Sequence, residues 1–176
     1  MLAKALRLAR SAERLGCLTP GDWPDVAVAL LLEGIEDAEV AELAGLDGQA
    51  SGWTVDPLAA ALYERYSVPD PTADDCVLAL AGLMAADFRA RPAAVTDSMI
   101  RVLAGLAQPC NFESSLANEY YGAEEYLDCD CSGRPDPALE AELEMISGPL
   151  LPDGLVRVLA APLRASLPLV QPPRGH

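Results

Sequence analysis

Ala73-Asp-Asp-Cys-Val-Leu-Ala-Leu-Ala-Gly-Leu-Met-Ala-Ala-Asp-Phe-Arg89 decides the fold class. Its apolar residues recur at three- and four-residue intervals, which puts Val77, Leu80, Met84 and Phe88 on one face of an amphipathic helix. Thr72, with Asp75 three residues on, supplies reciprocal capping chemistry at its start. Downstream, Pro92 opens a second helix whose inward set is Val95, Met99, Val102 or Leu103, and Leu106, and Gln108-Pro109 ends it. No alternating strand pattern interrupts this regime. The expectation is therefore all-α: a single-domain helical bundle over residues 1–166 of about seven to nine helices, followed by a flexible Pro-rich tail over 167–176.

Working towards the N-terminus, Asp56-Pro57 has helix-start chemistry for a segment reaching Tyr66, with Leu58, Leu62 and Tyr66 in register. The glycine-rich run 45–52 lacks both a preceding strand and a Lys-Ser/Thr pair, so it reads as a connection and not a phosphate loop, with Trp53 pinning its end to the core. A short helix over 37–44 turns Val40 and Leu43 inward. Asp22, Pro24 and Asp25 start another helix, apolar all round from Val26 to Leu32 as a central helix would be, and Gly34 stops it. Residues 1–15 form an amphipathic helix. Lys4, Arg7, Arg10 and Arg14 share about one third of its circumference, opposite Leu2, Leu6 and Ala9. That basic face is expected to lie on the acidic body of the chain or on a second subunit, giving a homo-oligomer. Beyond the centre, residues 151–165 can form one last helix interrupted by Pro162.

Only two Phe and two Trp are present, so the core is built from Ala and Leu, in keeping with a helical bundle. The formal charge of −15 excludes nucleic acid and anionic membrane surfaces as natural partners and favours a basic protein. Residues 1–16 carry +3, which leaves −18 for the rest. Five cysteines without a Cys-x-x-Cys pair indicate neither a disulfide framework nor a four-cysteine zinc site. No uninterrupted apolar leader and no bilayer-length run is present, so the expectation is a cytoplasmic protein with no membrane partner.

The residue inventory closes most catalytic routes. His176 is the only histidine and Lys4 the only lysine, which removes histidine-dependent triads, His-Glu-x-x-His zinc sites, Schiff-base chemistry and the Walker loop. No catalytic residue is assigned. Carboxylate pairs such as Glu119 with Asp128, or Glu124 with Asp128, leave a small carboxylate-dependent enzyme as an alternative.

Residues 111–146 hold ten carboxylates against one arginine, or half of the negative balance, together with Tyr120, Tyr121 and Tyr126. A stripe of Phe112, Leu116, Tyr120, Ala123 and Leu127 reads as the buried face of a helix. The three tyrosines point at about 0°, 100° and 240°, so at least one lies outside the stripe. Glu119, Tyr121, Glu124, Glu125, Tyr126 and Asp128 are the expected partner-binding set, by cation–π contact and charge-assisted hydrogen bonds. Covering a basic site by acidic mimicry in this way is similar to what immunity proteins and antitoxins do. The nearly lysine-free, Ala/Leu/Arg-rich usage resembles that of a GC-rich bacterium.

Asp128-x-Asp130-x-Ser132-Gly133, with Asp136 at the ninth position, resembles the opening of an EF-hand calcium loop. The twelfth position is Leu139 where a bidentate Glu belongs, and Pro135 occupies the bridging position. Cys129 and Cys131 with Cys110 form the alternative thiol set for zinc. No resident cofactor is expected beyond these two metal readings. Calcium at a hundred times its dissociation constant should raise stability by about 2.7 kcal/mol, and an unchanged melting temperature with and without chelator would remove the loop reading.

Overall fold

A computed structural model describes residues 1–89, 95–121, 146 and 150–167. Among them all regular structure is helical: α1 (Leu2–Arg14), a 3-10 turn (Pro20–Asp22), α2 (Trp23–Leu32), α3 (Ala38–Ala44), α4 (Gly52–Arg65), α5 (Ala73–Arg89), α6 (Val95–Ala107), α7 (Ser115–Tyr121) and α8 (Asp153–Ser166). The expected all-α bundle is what forms. No described helix is long and apolar enough to cross a membrane.

Helix α5 is the hub, packing against α1, α6, α7 and α8. Val77, Leu80 and Met84 are fully buried along it, as its periodicity predicts. The Thr72 amide and hydroxyl donate to Asp75, whose own amide donates back to the Thr72 hydroxyl, so the predicted cap closes in both directions. Met99, Val102, Leu103 and Leu106 of α6 are buried against it. Helix α2 joins this body through α8 and carries α3, which in turn carries α4 at the periphery. Leu167, the first residue of the expected tail, is still in the core, its side chain against Gly105.

Five expectations are corrected. Helix α2 is not enclosed: Val28, Leu31 and Leu32 are exposed, because α3 and α8 cover only part of its circumference. Asp22 does not cap α2; its carboxylate closes the preceding turn by accepting from the Thr19 amide and hydroxyl. Helix α4 begins at Gly52, well before Asp56-Pro57, and carries Pro57 inside it. The earlier start turns Trp53 outward to 94% exposure, while Leu46 and Ala50 fasten the glycine-rich run to the core in its place. Finally, Phe112 precedes α7 in a turn and is exposed, so it does not belong to the buried stripe that Tyr120 and Ala117 form.

Helices α1, α2 and α4 end alike. A residue in the left-handed region lets two successive amides turn back onto the last carbonyls: Gly16 at φ 67° after α1, Gly34 at φ 79° after α2 and Ser67 at φ 50° after α4. Ser67 does what glycine does elsewhere, but with a Cβ. Ser67→Gly should raise stability by about 1 kcal/mol, read from urea unfolding. Loss of stability would show that the serine side chain holds the turn.

Candidate functional site

The expected partner surface begins where α6 ends. Past Pro109 the Asn111 amide donates to the Gln108 carbonyl and the Phe112 amide to that of Ala107, both at 2.8 Å. Satisfying both places Asn111 (φ 54°) and Phe112 (φ 57°) in the left-handed region. Asparagine tolerates that conformation; for a bulky aromatic it is an outlier that the surroundings must hold. The Asn118 side-chain amide does so, donating to the Phe112 carbonyl at 2.8 Å.

Ser114 then anchors α7. Fully buried, its hydroxyl donates to Asp74 of α5 at 2.6 Å and accepts the Ala117 amide, capping the helix. With α7 fixed in rotation, Tyr120 points into the core and Tyr121 outward at 44% exposure, as the angular argument predicts. The Phe112 ring, 48% exposed, meets Tyr121 edge to face with centroids 5.2 Å apart and planes at 88°. Glu113, next to Phe112 in the chain, is exposed, and so is Glu119, which lies on the other flank of buried Tyr120 because residues two apart on a helix do not share a face. An exposed aromatic pair with a carboxylate next to it in the chain suits a guanidinium or ammonium group, which can lie over a ring while pairing with a carboxylate.

Of the expected binding set, Glu119 and Tyr121 are both exposed on α7 but on opposite flanks of buried Tyr120; Glu124, Glu125, Tyr126 and Asp128 lie outside the described residues, as do Ala123 and Leu127. The loop carrying Asp128, Asp130, Ser132 and Asp136 lies outside them as well, with Cys129 and Cys131. Cys110 is buried, its thiol donating to the Ala107 carbonyl at 3.2 Å. Burial pushes the Cys17 thiol up to about 11 and raises that of Cys76. No group of three potential metal ligands occurs among the described residues.

Sequence reasoning missed a second polar site, between α1 and α4. Glu13 accepts from the Trp23 indole and from the Tyr63 hydroxyl, each at 2.6 Å, while the Arg10 guanidinium lies 4.8 Å over the Tyr63 ring and donates to Asp70 and to the Val68 carbonyl. A cleft of about 420 Å³ opens there, lined by Arg10, Ala60, Tyr63, Glu64, Ser67, Val68 and Pro69. Burial raises the Glu13 carboxyl above its ordinary range, against the hydrogen bonds from Tyr63 and Trp23. A raised carboxyl binds its proton more readily in the folded state. Stability from this group should therefore increase as pH falls from neutral through its raised value towards 4.5. Glu13→Gln, which keeps the shape without the charge, should flatten that part of the profile; an unchanged profile would contradict the assignment.

Of the basic face expected to rest on the acidic body, Arg10 alone is in an ion pair among the described residues; Lys4, Arg7 and Arg14 are exposed. Compared with family models, curated proteins and solved structures, the chain matches none.

Proposed function

We propose that this chain is a non-enzymatic, acidic helical protein that neutralises or regulates a basic protein partner by charge complementarity, as immunity proteins and antitoxins do. The observation that carries the reading is the exposed Phe112–Tyr121 pair, with Glu113 exposed next to Phe112 in the chain and Glu119 exposed on the same helix as Tyr121. Large aromatics flanked by charge are the usual energetic centres of protein interfaces, and here the flanking charge has one sign. The overall charge of −15 adds long-range attraction for a cationic protein.

In the partner complex the rings supply the lasting contact and the carboxylates steer the encounter. Glu113→Gln with Glu119→Gln should slow association with the basic protein captured from cells of the source organism. It should also flatten the dependence of that rate on salt and leave dissociation nearly unchanged. A rate that falls equally at low and high salt would contradict electrostatic steering. Stability should change by less than about 0.5 kcal/mol, because both side chains are exposed.

A further inference from the structure

Helix α4 turns one line of side chains to solvent: Trp53, Pro57, Ala60 and Glu64, with Asp56 beside it. The line spans eleven residue steps, or about 17 Å. A single exposed apolar residue needs no explanation, so Trp53 at 94% exposure settles nothing alone. The arrangement of charge around it does.

Across the cleft from this line runs α1. Arg10 lines the cleft and is committed to Asp70 and the Val68 carbonyl. Arg7 and Arg14 lie about one helical turn to either side of it, and Lys4 extends the strip beyond Arg7. All three are exposed, and no described side chain pairs with Lys4 or Arg7. The other arginines whose side chains are described are Arg65, paired with Asp37 and Glu39, Arg164, paired with Asp87, Arg101, which has a partner, and Arg157. One face of the molecule thus sets a cationic strip beside an apolar strip that carries only carboxylates.

We infer that this face is where two copies of the chain meet, about a two-fold axis through the cleft, so that α1 of each copy lies on α4 of the other. A basic partner is repelled by the strip of Lys4, Arg7 and Arg14, and an anionic one by Asp56 and Glu64. A second copy satisfies both. Two molecules of charge −15 repel each other over most orientations, and this cationic strip on α1 pairs them in the orientation proposed. A two-fold contact needs a self-complementary patch, which opposite strips side by side provide. Trp53 is then covered at the edge of the contact. This inference is independent of the Phe112–Tyr121 reading, since it uses a different face.

Sedimentation velocity or light scattering on the full chain across a hundredfold range of concentration tests it. The wild type should pass from monomer to dimer, with a dimer dissociation constant that rises with salt. Trp53→Ala, Arg7→Glu and Glu64→Arg should each weaken the dimer about tenfold or more. Combining Arg7→Glu with Glu64→Arg should restore most of the loss by exchanging the charges across the axis. Thermal melts of each variant would confirm that the fold is intact, as expected for exposed positions. A monomer at every concentration, a dimer indifferent to all three substitutions, or open-ended assembly would each overturn the inference.

Discussion

Trp23→Ala should cost about 4 kcal/mol of folding free energy, the largest effect expected from a single side chain among the described residues. Trp23 is fully buried at the start of α2, its ring 6.2 Å from that of Tyr63 and its indole donating to Glu13. Alanine leaves a large cavity and takes one of two donors from a carboxylate that burial already penalises. Trp23→Phe keeps much of the volume and loses the donor, so about 2 kcal/mol is expected. Urea unfolding of both variants checks the order, and a loss below about 1 kcal/mol for Trp23→Ala would show that the network does not hold α1, α2 and α4 together.

Arg164→Met should cost about 3 kcal/mol, for a different reason. Asp87 on α5 is 6% exposed and pairs with Arg164 of α8, which brings the last described helix onto the hub. Removing the cation takes one partner from a carboxylate that is almost fully buried, and that costs more than the pair itself contributes. A double-mutant cycle with Asp87→Leu separates the two: the double variant should be clearly less destabilised than the sum of the singles. Additive losses would mean that the two side chains act independently.

What was legible in the sequence was what repeats locally. The 3.6-residue period placed Val77, Leu80, Met84, Val102 and Leu106 inward, and the spacing of Thr72 to Asp75 marked the start of α5, because periodicity and caps are written within a few residues. The tyrosine angles separated buried Tyr120 from exposed Tyr121 on the same grounds. Helix α4 misled because Asp56-Pro57 carries helix-start chemistry while Ser51-Gly52 starts the helix. Moving the start by one turn reversed the reading of Trp53. The Glu13–Trp23–Tyr63 network was out of reach, since its members are ten and fifty residues apart and leave no periodic trace. Phe112 fits an apolar stripe in sequence, yet the chain has not entered α7 there; the one local hint was Asn111, a residue that accepts left-handed backbone.

The exposed aromatic pair carries the functional account, and Tyr121→Ala tests it most directly. Tagged wild-type protein and the variant would be used in parallel to capture proteins from cells of the source organism, with a thermal melt of each. The account predicts a basic protein retained by the wild type and lost with Tyr121→Ala, while the melting temperature moves little, because Tyr121 is 44% exposed. Equal retention of every basic protein by both, or a variant that fails only because it unfolds, would contradict it.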